Sequence, residues 1–269
     1  MRTKTLLLSI LLAAIGFCTP GFAAEGLRPP NHGVYVIAHR GAHIGIPENT
    51  LAAARKAIEL GADFVEIDVR TTKDGKLVLM HNGMVDAYTN GAVTGPVKDF
   101  TLEEIKALDI GSRVGPEWKD ERVPTYEEML DVCKGKIGIY LDVKDATVED
   151  LLPPIVERGM QRDVVWYGGP ALHTRVQKAC PECFPMPDPG PEKFLPKLIE
   201  RFKPQVIAAV WDEYTESFVA TCHAAGALVF VDEDDATSWE PALAWGSDGI
   251  QTDDPEGLID FLKARKAAP

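Results

Sequence analysis

Glu66 and Asp68 are the residues whose type and spacing most clearly indicate chemistry. One residue separates them in the run Phe64–Val69, which is otherwise typical of a buried strand, so both side chains emerge on one face. Two carboxylates side by side inside a sheet repel each other and lose hydration, which is costly unless a cation compensates. A hard divalent cation is the simplest compensation, because it prefers oxygen ligands. The pair therefore predicts a metal site.

Other apolar runs end in side chains suited to the same site. Asp142 and Lys144 repeat the spacing at the end of the run Ile137–Val143, and His39 and His81 each follow an apolar run directly. Parallel strands of a barrel end at one mouth, so these side chains can converge there. A metal, a lysine and two histidines suit a reaction that develops negative charge and transfers protons. The set predicts metal-assisted acid–base catalysis.

Nine short apolar runs alternate with helical patterns and supply the strands that would position these residues. Repeated β–α units with Val- and Ile-rich runs predict a (β/α)8 barrel or a doubly wound parallel sheet. A barrel has eight places, and we predict that Val206–Val210 is the surplus run, a short segment inside a long crossover. No repeat or linker divides the chain, which indicates one domain. The nine runs are Val34–Ala38, Phe64–Val69, Leu77–Met80, Ile137–Val143, Val164–Tyr167, Cys183–Met186, Val206–Val210, Leu228–Val231 and Gly249–Thr252.

The longest connection between these runs covers residues 82–124 and is rich in Gly, Asp and Pro. A connection of this length usually carries function or an inserted subdomain. Within it, Thr101 and Glu104 have the spacing of a capping box, which predicts the start of a helix. Asn49 and Thr50 predict another helix start after the first strand.

Four cysteines follow the first segment of the chain: Cys133, Cys180, Cys183 and Cys222. Cys180 and Cys183 have the spacing of a redox pair or of half a zinc site, but no second Cys-x-x-Cys motif accompanies them. We therefore favour a local disulfide or two free thiols at this pair over a functional site. The sequence leaves the pairing of the four cysteines and the oligomeric state open.

Residues 1–23 have the pattern of a secretory signal peptide. Arg2 and Lys4 precede an apolar run at 6–15, and Gly21 and Ala23 supply the small residues that a signal peptidase recognises. The run is shorter than the roughly 20 residues that a membrane span needs. We predict an exported protein, periplasmic or secreted, whose mature domain is 24–269 and which has no stable membrane insertion after cleavage.

The composition describes an ordinary globular chain with a strong negative charge. Its 269 residues are 45% hydrophobic, with 28 basic and 41 acidic residues and a net charge of −13 at pH 7. This balance excludes a typical nucleic-acid-binding protein, because such binding depends on Lys and Arg, and it disfavours anionic membrane surfaces. We expect a small-molecule substrate instead. An anionic substrate would need local cations or a metal to overcome the field.

Motifs that follow one another along residues 24–269 resemble those of the glycerophosphodiester phosphodiesterase family. They are His39-Arg40-Gly41, Pro47-Glu48-Asn49-Thr50, Glu66-Ile67-Asp68-Val69 with Thr71, Asp74 and Gly75, then His81, Arg122–Glu128, Leu141-Asp142-Val143-Lys144 and Asp248–Asp253. In this order the motifs are specific, whereas the His-Arg-Gly motif alone would be weak. The resemblance implies a single-domain (β/α)8 TIM barrel, bound Ca²⁺ or Mg²⁺, and hydrolysis of a glycerophosphodiester to glycerol 3-phosphate and an alcohol.

The resemblance also implies roles for eight residues at matching positions. The general acid and base would be His39 and His81, the metal ligands Glu66, Asp68 and Asp142, and the cationic clamps on phosphate Arg40 and Lys144. Glu48 either contacts the substrate or only pairs with Arg40. Displacement at phosphorus requires the same functions, because charge must be neutralised and protons must be removed and delivered. Which histidine is the acid, and whether water or a glycerol hydroxyl attacks first, stays open.

The sequence departs from the family pattern at four places. Asp142 stands where Glu is common, Asn82 where Asp usually follows the second histidine, and Val231-Asp232-Glu233 where a Trp-Thr segment is expected. The basic and threonine residues usually found shortly after the second histidine are replaced around Ala87 and Tyr88. These departures bear more on the identity of the substrate than on the class of reaction. Two alternatives remain: a related-barrel phospholipase or lyase that forms a cyclic phosphate from lysolipid or sphingolipid headgroups, and a noncatalytic ligand-binding barrel.

Overall fold

The computed structural model describes residues 26–233 and 235–267, so the predicted signal peptide, 1–23, lies outside the described residues. The strands are β1 Tyr35–Ala38, β2 Phe64–Thr71, β3 Leu77–Leu79, β4 Gly138–Val143, β5 Val164–Tyr167, β6 Phe184–Pro185, β7 Val206–Val210, β8 Leu228–Asp232 and β9 Gly249–Thr252. The helices are α1 Leu51–Leu60, α2 Leu102–Ala107, α3 Tyr126–Cys133, α4 Val148–Arg158, α5 Pro170–Ala179, α6 Leu195–Phe202, α7 Glu216–Ala224, α8 Trp239–Trp245 and α9 Pro255–Ala267.

Eight parallel strands form a nearly closed barrel in the order β6–β5–β4–β2–β1–β9–β8–β7. Between the two ends of this order, the backbone N–H of Ala208 donates to the carbonyl of Pro187 at 3.0 Å. Helices alternate with the barrel strands, and a large apolar cluster lies between helices and strands. The predicted (β/α)8 barrel is confirmed.

The prediction that Val206–Val210 lies outside the barrel is wrong. This run is β7, paired in parallel with β8, and the surplus run is β3, which pairs antiparallel with β2. The connection from β2 to β3 has only five residues, 72–76, whereas a parallel neighbour needs a crossover of a dozen or so. Gly75, with φ +73°, lies in this tight turn. The turn chemistry therefore contained the signal for a hairpin.

Aromatic side chains fill the barrel at the end where its strands begin. The rings of Tyr35, Phe64 and Phe230 lie 5.2 to 5.7 Å apart, centroid to centroid. Gly138 and Gly249 make room for them, because a Cβ at either position would lie 2.5 Å from a ring carbon of Phe64 or Phe230. Since this end is plugged, the polar side chains of the barrel interior meet at the other end.

Residues 82–124, here called the insert, connect β3 to α3 and contain helix α2. A second apolar cluster packs the insert against Val78 and Met80, which precede it, and Thr101 and Glu104 form the predicted capping box at the start of α2. Thr50 is the N-cap of α1, as predicted for this segment. The cluster consists of Val78, Met80, Val85, Tyr88, Val97, Ile105, Leu108, Ile110 and Val123.

Cys180 and Cys183 form a local disulfide, one of the two states predicted for this pair, while Cys133 and Cys222 are free and buried. Within residues 26–233 and 235–267, no helix has the length and apolar character needed to cross a membrane.

Candidate active site

A polar pocket of about 230 Å³ opens where the barrel strands end. Seven of the eight residues predicted for the site line it: His39, Arg40, Glu66, Asp68, His81, Asp142 and Lys144. Glu48 is not one of the lining residues. Its carboxylate is 3.5 Å from Nη1 of Arg40 and accepts a hydrogen bond from the hydroxyl of Tyr88 at 3.2 Å. The structure thus brings together residues that are up to about a hundred positions apart in the chain.

Glu66, Asp68 and Asp142 form an acidic group on the neighbouring strands β2 and β4. Asp68 and Asp142 are opposite each other in register, and one oxygen from each of the three carboxylates lies within 4.8 Å of the others. Burial, together with the charges of Asp68 and Asp142, raises the pKa of Glu66 well above its ordinary value. The group supplies three hard oxygen donors whose repulsion a divalent cation would relieve, so these residues fit Ca²⁺ or Mg²⁺.

Two cationic side chains stand beside the acidic group. Nζ of Lys144 lies 2.6 Å from Oδ2 of Asp142 and 2.9 Å from Oδ1 of Asp68, and Nε of Arg40 lies 3.7 Å from Oδ2 of Asp68. Burial acts to lower the pKa of Lys144, but the charge of Asp68 and the hydrogen bond to Asp142 outweigh it, and the pKa is raised. Lys144 therefore keeps its positive charge next to the pocket.

The loop between β1 and α1 shapes one side of the pocket with two residues in left-handed backbone conformations. Arg40 has φ +52° and Asn49 has φ +56°, and the N–H of Asn49 donates to the carbonyl of Arg40. The side chain of Asn49 donates to Oδ2 of Asp68 at 2.7 Å and accepts from the N–H of Asp68 at 3.1 Å. Such conformations often occur at functional sites, where surrounding contacts hold them. The sequence indicated only a helix start here, so this support of Asp68 was missed.

His39 is paired with a carboxylate that the sequence analysis did not single out. Nδ1 of His39 lies 2.7 Å from Oδ1 of Asp253, which follows β9, and Nε2 lies 4.0 Å from Glu66. The hydrogen bond with His39 lowers the pKa of Asp253. His43 also lies here, with Nε2 3.7 Å from Oδ1 of Asp253. Asp253 thus holds one nitrogen of His39 and leaves the other toward the pocket.

His81 reaches the pocket by a route that differs from the predicted one. It follows β3, which is antiparallel, and the N–H of Met80 donates to the carbonyl of Asp68, so the returning strand brings His81 beside the acidic group. Arg70 holds the carbonyl of His81, with Nε at 3.0 Å. Nδ1 of His81 lies 3.1 Å from the side-chain oxygen of Asn82. One histidine is therefore supported by a carboxylate and the other by a neutral amide.

We expect the Asp253→Asn substitution to lower kcat by about 10- to 100-fold and to change KM little, because the amide no longer holds His39 as the carboxylate does. Steady-state kinetics over a range of pH would measure this. Glu256→Gln, which changes an exposed carboxylate at the start of α9, is the matched control and should behave as wild type. A wild-type kcat and pH profile for Asp253→Asn would contradict the positioning role.

Comparison with known proteins bears out the resemblance found in the motifs. Residues 39–153 match the model of the glycerophosphoryl diester phosphodiesterase family. A glycerophosphodiester phosphodiesterase from Caldanaerobacter subterraneus subsp. tengcongensis is 35% identical over 245 residues, which cover 85% of this chain and 97% of that protein.

Solved structures share the barrel. A glycerophosphodiester phosphodiesterase from Agrobacterium tumefaciens str. C58 matches with a TM-score of 0.73 and 26% identity, covering 84% of this chain and 99% of that one. A phosphodiesterase from Oleispira antarctica, in complex with the product sn-glycerol-3-phosphate, matches with a TM-score of 0.75 and 25% identity, covering 85% and 96%. Because a relative aligned over nearly its whole length is this similar and the barrel is shared, the chain belongs to the glycerophosphoryl diester phosphodiesterase family.

Proposed function

We propose that the protein is a metal-dependent phosphodiesterase that hydrolyses glycerophosphodiesters to glycerol 3-phosphate and an alcohol. The observation that carries this proposal is the shared pocket, in which three carboxylates, two cations and two histidines meet. The substrates named for the relatives and the product held by the Oleispira antarctica protein support it. A noncatalytic barrel would not need these three kinds of group together.

Glu66, Asp68 and Asp142 are the residues that would hold Ca²⁺ or Mg²⁺, with Asn49 fixing the orientation of Asp68. When bound, the ion supplies positive charge that stabilises the developing charge on phosphate oxygens. Arg40 and Lys144 line the same pocket and would clamp the other phosphate oxygens as fixed positive donors. The net charge of −13 makes these local cations necessary for binding an anionic diester.

His39 and His81 would divide the two proton transfers. One imidazole removes the proton from the attacking oxygen, and the other delivers a proton to the leaving alkoxide, so that neither oxygen carries a full charge. Both side chains line the pocket. Asp253 orients His39 and Asn82 contacts His81, so each ring has one nitrogen held and one directed to the reaction.

The size of the pocket favours small deacylated substrates over lysolipids. Its volume of about 230 Å³ is below the roughly 300 Å³ at which pockets for drug-sized ligands begin. Its lining is dominated by polar and charged side chains, which are unfavourable neighbours for an acyl chain. We therefore place the related-barrel phospholipase or lyase activity second.

The test is release of glycerol 3-phosphate from glycerophosphocholine and glycerophosphoethanolamine by residues 24–269, with Ca²⁺, with Mg²⁺ and with EDTA. We expect release with a metal and a loss of about 100-fold or more in EDTA. Lysophosphatidylcholine and sphingomyelin serve as comparison substrates. Metal-dependent cleavage of these two alone, from folded protein, would favour the phospholipase or lyase alternative.

We also propose that residues 1–23 direct export, which makes the periplasm or the exterior the place of reaction. The local disulfide of Cys180 and Cys183 is compatible with an oxidising compartment. Fractionation of cells that express the whole chain, with mass measurement of the N-terminus, would test this. Intact protein retained in the cytoplasm would contradict it.

A further inference from the structure

The side of the pocket away from the acidic group has a composition that the proposed proton and phosphate chemistry does not use. Glu66, Asp68 and Asp142 lie on β2 and β4, and β7 and β8 are the strands farthest from them around the barrel. We call the remaining lining from β5 to β9 the far wall. It consists of Tyr167, Asp188, Ala208, Ala209, Val210, Asp232 and Gln251.

Two carboxylates of the far wall form no close ion pair with a described residue, and the charges of His39 and Arg40 reach Asp232 only from beyond 4.0 Å. Oδ2 of Asp188 accepts the hydroxyl of Tyr167 at 3.2 Å, and Oδ1 accepts the N–H of Gly190 at 2.6 Å. Asp232, at the end of β8, accepts a hydrogen bond from the side chain of Gln251. No described cationic group lies within 4.0 Å of either carboxylate. Two negative charges at one pocket wall without a cation in direct contact are costly, and a bound cationic ligand would relieve that cost.

The side-chain oxygen of Gln251 is a further acceptor in this wall, and it has no hydrogen-bond donor among the described residues. The residue is 5% exposed, and its Oε1 is buried without a hydrogen bond from any described residue. Because Asp232 can only accept when ionised, the amide nitrogen of Gln251 must face it, which leaves Oε1 as a free acceptor. A buried acceptor without a donor is unfavourable, and so it indicates that a ligand donor completes the site.

We propose that the far wall binds the alcohol half of the substrate through an ammonium group on that alcohol, as in glycerophosphoethanolamine. The proposal rests on the proposed hydrolysis and names the substrate class for the same pocket. An ammonium group has N–H donors for Asp232 and for Oε1 of Gln251 and a charge that both carboxylates attract. The rings of Tyr140 and Tyr167, 5.6 Å apart, add aromatic surface to which a cation is attracted.

The two sides of the pocket differ in charge. Arg40 and Lys144 lie on the side of the acidic group and suit phosphate, whereas Asp232 lies in the far wall beside Gln251. The preference for a cationic alcohol is therefore expected to depend on Asp232.

A matched pair of substrates tests the proposal: glycerophosphoethanolamine and glycerophosphopropanol, in which a methyl group replaces the ammonium group. We expect wild-type kcat/KM to be about tenfold or more higher for the ammonium substrate, the factor that 1.4 kcal/mol gives. Asp232→Asn should reduce this preference, measured as the ratio of kcat/KM for the two substrates, to about twofold or less. Asp212→Asn, an exposed residue near the same rim, is the control for long-range charge.

Equal kcat/KM for the two substrates in wild type would overturn the proposal. An equal loss of kcat/KM on both substrates in Asp232→Asn would also overturn it, because Asp232 would then contact the glycerol half of the substrate or only support the fold. If neither diester were hydrolysed, the proposed function would fail first. In that case, calorimetry would measure the affinity of the His39→Ala protein for each diester. Tighter binding of glycerophosphoethanolamine would support the ammonium site, and equal affinities would refute it.

Discussion

Alanine at His39 or at His81 is expected to lower kcat by about 10²- to 10⁴-fold while the protein remains folded. Both imidazoles line the pocket, and each would carry one of the two proton transfers, so neither can replace the other. The measurement is single-turnover or steady-state hydrolysis of glycerophosphocholine. His32→Ala is the matched control, because His32 contacts the carbonyl of Gly61 and is not part of the pocket lining.

A second substrate separates the two roles. The 4-nitrophenyl ester of glycerol 3-phosphate has a leaving group that departs without a proton, so the variant that lacks the general acid should recover most of its activity with it. The variant that lacks the general base should remain impaired with both substrates. If either alanine variant stayed within about tenfold of wild type on glycerophosphocholine, that histidine would have no proton-transfer role.

Glu66→Gln is expected to change activity and metal-free stability in opposite directions. Activity should fall by about 100-fold or more, because one of the three carboxylates that fit a divalent cation is lost. Without metal, the same change should stabilise the protein near neutral pH, because it removes a buried charge that repels Asp68 and Asp142. Each kcal/mol gained would raise Tm by about 2–4 °C for a chain of this size.

The pKa of Glu66 determines how the stability difference between wild type and Glu66→Gln changes with pH. The folded-state pKa of Glu66 is raised, so its contribution to stability is present below the ordinary carboxyl pKa and is lost as pH rises through the folded value. In EDTA, wild type should therefore lose stability relative to Glu66→Gln as pH rises above about 4.5. Added Ca²⁺ or Mg²⁺ should raise the Tm of wild type and not that of the variant.

Thermal unfolding in EDTA tests the expected difference in metal-free stability, and thermal unfolding with Ca²⁺ or Mg²⁺ tests the expected difference in metal response. Glu59→Gln, at an exposed position on α1, controls for the loss of one negative charge. A lower metal-free Tm for Glu66→Gln than for wild type at neutral pH, or an unchanged metal response, would contradict the assignment of this residue to the metal group.

The acidic group could be predicted because its signal is local. Alternation along β2 places Glu66 and Asp68 on one face, and the same reasoning applies to Asp142 on β4. The alternation of β and α segments predicted the barrel correctly, but the prediction wrongly left β7 out of the barrel and counted β3 as one of its eight strands. Apolar character alone does not distinguish the two runs, whereas the tight turn at 72–76 decides that the strand after it is antiparallel.

Residues that support the site were harder to predict than residues that form it. Asp253 is 214 positions from His39, and no local pattern links a carboxylate after the last strand to a histidine after the first. Asn49 was interpreted only as part of a helix start, since its contact with Asp68 depends on a left-handed backbone that a helix-start pattern does not reveal. Contacts of this kind depend on the closed barrel.

The two histidines belong to parts of the protein with different hydrophobic cores. His39 follows β1 of the barrel, whereas His81 follows Met80, whose side chain packs in the apolar cluster of the insert. Tyr88 connects the insert to Glu48 through its hydroxyl. The distance between the two histidines therefore depends both on the pairing of β3 with β2 and on the packing of the insert cluster against the barrel. If the insert cluster loosens first on heating, we expect activity to be lost at a temperature where the barrel is still folded, so the lifetime of activity on heating would report on the insert.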